Sequence, residues 1–195
     1  MSLIKFMIKS DGCLRAKLLG ALTGTLFTSV AWGCTTDCAI TVNFTGVYND
    51  ETCNVIINNV SNNETVTLPK ISTTALQGSG SEAGSVPFDI TLKDCPASRT
   101  ITAFFNSSAN AADATTGNLI NETGESYSNN VQIRLRKEDG SQVIIDDSTS
   151  GQNYVISSSA EQVTHGFSAS YYATGNATVT AGLVMAIASI ELVYK

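Results

Sequence analysis

The sequence contains few charged residues, few prolines and a single histidine. Only 14% of its 195 residues are charged, 3 are proline, and the formal net charge is -6. An acidic chain attracts nucleic acid poorly, so a nucleic-acid-binding function is disfavoured. His165 has no neighbouring cysteine or histidine at metal-ligand spacing, which argues against a metal site. We therefore expect no metal and no other cofactor.

Apolar and small polar residues make up most of the chain. Hydrophobic residues account for 43% of the sequence, which is enough for one substantial core but too little, at this length, for two. Glycine, asparagine, serine and threonine are abundant, and no long segment has helical periodicity. This composition is typical of many short strands joined by turns, so an all-β class is predicted.

The first 33 residues have the organisation of a secretory signal peptide. Basic residues precede an apolar run over residues 18–32 that is too short to cross a bilayer. Small residues permit cleavage after Ala31 or after Gly33, and the sequence does not distinguish the two. Residues 1–33 are therefore predicted to direct export, and a membrane-anchoring helix is the alternative interpretation.

Export determines how the cysteines are interpreted, because an oxidising compartment favours disulfides over nucleophilic or metal-binding thiols. Cys13 leaves with the signal peptide. Among the remaining cysteines, Cys53 and Cys95 lie beside predicted strands and would close a loop of about forty residues. Closing such a loop stabilises a fold by about 4 kcal/mol in the loop-entropy description. A Cys53–Cys95 disulfide is predicted.

Ten segments combine β-forming residues or period-two alternation with turn signals at their ends. They are Ile40–Tyr48, Asn54–Val60, Thr65–Ile71, Val86–Leu92, Thr100–Asn106, Val131–Arg136, Gln142–Asp146, Tyr154–Ser157, Gly166–Ala173 and Ala181–Tyr194. Strands at this spacing predict a sandwich, with a hairpin turn at Asp139-Gly140. The stretch Asn106–Asn130 has few large apolar residues and is expected to be a surface excursion.

The last predicted strand has an apolar face along its whole length. The side chains of one parity are Val184, Ala186, Ala188, Ile190, Leu192 and Tyr194. The other face begins with Leu183, Met185 and Ile187, so both faces are expected to be buried at the start of the strand. No later segment of the sequence is available to pair with its free edge, and an exposed apolar edge has to be capped.

A short segment before the first strand of the domain is an available cap. Its residues of one parity are Thr36, Cys38, Ile40, Val42 and Phe44. Strand addition of this kind draws affinity from backbone hydrogen bonds and specificity from side-chain pockets. The alternative is a self-contained sandwich that uses residues 40–44 as its own edge strand and buries the C-terminal strand internally.

Five stretches of the chain are distinctive: TVNFTGVYNDETC from Thr41, VPFDITLKDC from Val86, VQIRLRKEDGSQV from Val131, HGFSASYYATGNAT from His165 and GLVMAIASIELVYK from Gly182. Together they resemble type 1 fimbrial subunits, the pilins of the chaperone–usher pathway. Two terminal features are similar to that family: Gly182, fourteenth from the last residue, and the penultimate Tyr194. The resemblance covers nearly all of the chain after the signal peptide.

The resemblance implies an incomplete immunoglobulin-like β-sandwich that is completed by a donated strand. Residues 34–44 would be the N-terminal donor-strand extension and residues 45–195 the pilin domain. The groove and chaperone-binding residues would be Gly182, Val184, Ala186, Ala188, Ile190, Leu192, Tyr194 and Lys195. The implied partners are neighbouring pilin subunits, a periplasmic chaperone and an outer-membrane usher, and the chain would pass through the periplasm to a cell-surface fimbrium that supports adhesion.

Cys34 and Cys38 are unusual in such a donor segment. Residues four apart on an extended strand are separated by about 13 Å, which no disulfide spans. If the two cysteines pair, the segment is looped and is not a full-length donor, as would suit a specialised or terminal subunit. Cleavage before Cys34 would also suit a lipoprotein, although Ala31-Trp32-Gly33 is a poor lipidation context.

Two further function classes fit the sequence less well. A tip, adaptor or terminating minor subunit would bind a host glycan through residues 106–130, but adhesins of the resembled family carry a separate lectin domain, for which this chain has no room. A periplasmic hydrolase needs a nucleophile, a base and an orienting group. Asp146 and Asp147 are adjacent and would face opposite sides of a strand. We therefore expect a structural protein and not an enzyme.

Overall fold

The computed structural model of the chain describes residues 52–107, 110–175 and 177–195. These residues contain two short 3-10 helices, Thr73–Leu76 and Ser148–Ser150, and the following strands. The strands are β1 Asn54–Ile57, β2 Glu82–Lys93, β3 Thr100–Asn106, β4 Leu119–Ile120, β5 Val131–Lys137, β6 Gln142–Val143, β7 Gln152–Val155, β8 Val163–Ala173 and β9 Ser189–Tyr194. Within this part of the chain, no helix is long and apolar enough to cross a membrane.

The strands form two sheets, and every strand-to-strand pairing within them is antiparallel. The larger sheet has the order β1-β2-β8-β5-β4, and β6 also pairs with β5. The smaller sheet has the order β7-β3-β9. The described strands therefore leave β1 at one edge of the larger sheet and β9 at one edge of the smaller sheet.

The core lies between the inner faces of the two sheets. Three aromatic rings meet at its centre: Phe88 of β2 stacks on Phe167 of β8 with 5.6 Å between centroids, and Phe105 of β3 meets both edge-on. Aromatic rings in these arrangements stabilise a core beyond the area they bury. Tyr154 is fully buried, and its hydroxyl donates a hydrogen bond of 3.1 Å to the carbonyl of Ile90.

The predicted Cys53–Cys95 disulfide is present, and it closes a loop of 42 residues in sequence separation. Both cysteines are buried at the boundary of the main core. The bridge joins the residue before β1 to the turn after β2, so it fixes the start of the described domain against its longest strand. A cross-link of this length restricts the unfolded chain, which stabilises the folded one.

Most of the predicted strands are present with shifted ends, and two predictions were wrong. Thr100–Asn106 has the predicted bounds. Thr65–Ile71 is not a strand, and Ala181–Tyr194 is a strand only from Ser189 onward. In both cases alternating apolar side chains pack against the core while the backbone lacks a neighbouring strand. The predicted strand Ile40–Tyr48 lies outside the described residues.

The stretch Asn106–Asn130, here called the excursion, is more buried than predicted. Four of its polar residues are buried, namely Asn110, Asn118, Asn121 and Ser128. Its entry is fixed by the carboxylate of Asp146, which accepts hydrogen bonds of 2.8 and 2.6 Å from the backbone N–H and the hydroxyl of Ser107. The excursion therefore packs on the domain through polar contacts, which its composition did not reveal.

Candidate functional site

Residues 182–194, here called the terminal segment, turn one row of side chains toward the core. From residue 184 to residue 194, every even-numbered side chain is half-buried and every odd-numbered side chain is exposed. The half-buried row, which packs against the main core, consists of Val184, Ala186, Ala188, Ile190, Leu192 and Tyr194. The six residues that share a parity in the sequence thus share one face. They pack against the core but remain partly exposed to solvent.

The opposite face of the terminal segment is open at its start. Leu183, Met185 and Ile187 are 62%, 47% and 52% exposed. The expectation that both faces are buried here was therefore wrong for the described domain. Alternation of apolar residues on two faces indicates burial only if a layer covers each face, and the described residues cover the even-numbered face alone.

One backbone edge of the terminal segment has no strand beside it in the described domain. β9 pairs with β3 in the register Ile101↔Tyr194, and the N–H of Lys195 donates to the carbonyl of Thr100 at 2.9 Å. Successive residues of an extended chain direct their N–H and C=O groups to opposite edges. Odd-numbered residues therefore face β3, and the even-numbered residues direct their N–H and C=O groups to the free edge.

A cleft of about 610 Å³ lies at the start of the terminal segment. One wall is formed by Leu68, residues 70–73 and Leu76, and the other by residues 179–184. Tyr171 and Val131 are also part of the lining, together with Ser128. The stretch 65–71, which follows β1, thus faces the start of the terminal segment across an apolar opening, and neither stretch belongs to a strand.

Two contacts fix the walls of this cleft. The Tyr171 hydroxyl donates a hydrogen bond of 3.2 Å to the carbonyl of Pro69, and burial raises the pKa of Tyr171. A Cβ atom placed on Gly182 would lie 2.4 Å from the backbone N of Ser128 and 2.6 Å from the carbonyl carbon of Tyr127. Only glycine at position 182 allows the backbone of the excursion to approach the terminal segment this closely.

The other end of the terminal segment is joined to the start of the domain. The hydroxyl of Tyr194 accepts a hydrogen bond of 2.8 Å from the backbone N–H of Cys53. Cys53 immediately precedes β1, the edge strand of the larger sheet. A groove therefore runs between the edges of the two sheets, from the cleft beside Gly182 to the closure at Tyr194.

The excursion holds the start of the terminal segment on the edge that faces β3, here called the closed edge, and no pattern in the sequence indicates this. The N–H of Met185 donates to the side-chain oxygen of Asn121, and the N–H of Ile187 donates to that of Asn110, both at 2.8 Å. Nothing in the sequence separates these two asparagines from the others in the excursion, because the pattern that predicts buried residues is apolar.

The remaining predicted site residues divide into two groups. Lys195 is exposed at the end of the groove. The predicted donor residues Thr36, Cys38, Ile40, Val42 and Phe44 lie outside the described residues, as do the predicted signal peptide and Cys34. Among residues 52–107, 110–175 and 177–195, no group of three or more histidine, cysteine or acidic residues is arranged to hold a metal ion.

Comparison with known sequences identifies the family. Residues 42–195 match the fimbrial protein family. The F17 fimbrial protein of Escherichia coli is 37% identical over 161 residues, which cover 79% of this chain and 86% of that protein. The minor fimbrial subunit HifD of Haemophilus influenzae is 34% identical over 176 residues, which cover 79% of this chain and 73% of that subunit.

Comparison with solved structures identifies the fold. The crystal structure of the P pilus rod subunit PapA matches with a TM-score of 0.57 at 16% identity, covering 73% of this chain and 99% of that one. At this identity the match bears on the fold alone, which is the immunoglobulin-like β-sandwich of chaperone–usher pilins. The sequence matches and the open-edged sandwich agree: this chain belongs to the fimbrial protein family and is a structural subunit of a cell-surface pilus.

Proposed function

We propose that the subunit polymerises by donor-strand exchange, with its groove as the acceptor. The observation that carries this proposal is the free edge of the terminal segment, where even-numbered backbone groups and half-buried even-numbered side chains face the same groove. An extended apolar segment added there would pair with the backbone and complete the core. A head-to-tail contact of this type is heterologous, so it builds an open fibre.

The donor in this proposal is residues 34–44 of a neighbouring subunit. Ile40, Val42 and Phe44 share a parity, so they would enter the groove together while the intervening residues face outward. The groove offers an apolar row of matching period. Cys34 and Cys38 fit this role if they remain unpaired in the assembled fibre.

The route to the cell surface follows from the same groove. An open apolar edge is an aggregation hazard before assembly, so we propose that a periplasmic chaperone covers it until an outer-membrane usher directs the exchange. The signal peptide of residues 1–33 would deliver the chain to the periplasm. In this account the subunit is not an enzyme, and its role depends on strand pairing alone.

A charge placed on either face of the donor tests the proposal. Val42→Asp would bring a carboxylate into the apolar groove, and we expect fibre formation to be lost while the chaperone-bound subunit remains soluble. Thr41→Asp is the matched control, since its side chain would face outward, and it should assemble like the wild type. Wild-type fibre yield from Val42→Asp, or from a chain that lacks residues 34–44, would refute donation.

A second candidate is a minor subunit rather than the main rod component. The relative HifD is described as a minor fimbrial subunit, and 34% identity to it supports this alternative. The two roles differ in abundance. Quantitative mass spectrometry of sheared fimbriae would therefore separate a subunit present at many copies from one present at a few.

A further inference from the structure

The start of the terminal segment is held on its closed edge by the excursion rather than by a strand. The N–H of Leu183 donates to the carbonyl of Ser126, and the carbonyl of Leu183 accepts from the N–H of Ser128, both at 2.8 Å. The carbonyl of Met185 accepts from the N–H of Glu122 at 3.1 Å. These backbone bonds leave the N–H groups of Met185 and Ile187 to be satisfied in another way.

Two buried amides supply the missing acceptors. Asn121 is 6% exposed and its side-chain oxygen accepts from the N–H of Met185, whereas Asn110 is 9% exposed and accepts from the N–H of Ile187. The amide nitrogen of Asn121 also donates to the carbonyls of Ser128 and Leu183, at 2.7 and 3.2 Å. Each amide thus takes the place of a backbone group on a neighbouring strand.

The two amides are connected by hydrogen bonds through Glu122 and Met185. The amide nitrogen of Asn110 donates to the carboxylate of Glu122 at 2.8 Å, and the backbone N–H of Glu122 bonds to Met185. In the described part of the chain, no buried side-chain nitrogen or oxygen lacks a hydrogen-bond partner. Polar contacts that are all satisfied hold a segment in one register, and loss of either amide would leave a partly buried N–H without its acceptor.

We infer that Asn110 and Asn121 are positioning residues for strand exchange. They fix the start of the terminal segment on its closed edge, so that its even-numbered N–H and C=O groups are already aligned when a donor strand enters beside the cleft. This inference rests on the proposed function. An acceptor edge aligned in advance avoids the cost of ordering the segment when the donor binds. Without either amide, the donor has to order the segment as it binds.

Amide hydrogen exchange tests the hydrogen bonds directly, in the mature subunit co-purified with its chaperone. Asn121→Ala should speed exchange at Met185 by about tenfold and leave Ile187 unchanged, and Asn110→Ala should do the reverse. Neither variant should change exchange at Val193 of β9, which pairs with Thr102 of β3. Acceleration at Val193 as well would indicate general destabilisation and would overturn the assignment. If Asn121→Ala fails to fold, the exchange rates of the Asn110→Ala variant alone test the assignment.

Uptake of a synthetic peptide of residues 34–44 tests the role in exchange. We expect each alanine variant to take up the peptide about fivefold more slowly than the wild type. Asn62→Ala is the control, because Asn62 is exposed and its side chain makes no hydrogen bond with the described residues. Wild-type uptake by both variants would refute the positioning role. Failure of the wild type to take up the peptide would refute donor-strand exchange, and with it the positioning role.

Discussion

The hydroxyl of Tyr194 accepts a hydrogen bond from the backbone N–H of Cys53, which lies 141 residues earlier in the chain. This bond joins the last strand to the residue that carries the disulfide to Cys95. The penultimate tyrosine therefore has a structural role at the closed end of the groove, in addition to its place in the apolar row. The contact links the edges of the two sheets where the groove ends.

Tyr194→Phe should lower the free energy of unfolding by about 1 kcal/mol, because it removes the acceptor of a partly buried N–H while keeping the ring. Urea denaturation of the purified subunit measures the difference. Tyr127→Phe is the matched control, since the Tyr127 hydroxyl makes no hydrogen bond with the described residues. Equal stability of the two variants would show that the contact with Cys53 contributes nothing.

Gly182→Ala should destabilise the subunit by about 1–3 kcal/mol, because the added methyl group would overlap the backbone of Tyr127 and Ser128. The excursion would have to move away from the cleft. Gly78→Ala is the control: the nearest atom to its added Cβ is 3.9 Å away, and its backbone is not left-handed. Thermal unfolding measures both, and equal midpoints would contradict the account of Gly182.

The acid stability of the domain should depend on Glu82. Its hydrogen bond to Arg136, together with the contact to Arg134, holds the pKa of Glu82 below its usual value of 4.5. A carboxyl whose pKa is lowered by folding stabilises the fold above its unfolded pKa, and this contribution is lost as the pH falls through the folded pKa. The unfolding free energy of the wild type should therefore decrease as the pH falls below about 4.5.

Glu82→Gln should remove that part of the pH dependence. The difference in unfolding free energy between the wild type and this variant should be constant near neutral pH and should shrink below about pH 4.5. Urea denaturation at a series of pH values measures it. A difference that does not change with pH would show that ionisation of Glu82 does not stabilise the fold.

The sequence predicted which side chains are buried better than it predicted which backbones are paired. β3 was found with its predicted bounds, and residues 101–105 within it are all buried, with a strand paired on each side. Thr65–Ile71 and residues 181–188 carry alternating apolar residues, yet they lack strand partners among the described residues. Period-two patterning records a buried face and gives no information on hydrogen-bond partners. The two incorrectly predicted stretches contribute to the two walls of the cleft at the start of the groove.

Other features depended on long-range contacts that no local pattern records. β2 begins at Glu82, four residues before its predicted start, because the strand continues through an irregularity between Ala83 and Val86, with Gly84 in a left-handed conformation. Asn121 became part of the site only through its contacts with the terminal segment, 62 residues away. Glycine and asparagine normally predict turns, so their positions suggested loops instead.

Amide exchange along the terminal segment, before and after addition of a peptide of residues 34–44, tests the central claim most directly. The claim predicts that the peptide will displace the chaperone, and that the subunit without either will exchange rapidly at Val184, Ala186 and Ala188. Bound peptide should then protect these even-numbered amides and leave the odd-numbered ones little changed. Even-numbered amides that are already protected in the isolated subunit, with no peptide bound, would show that the chain fills its own groove.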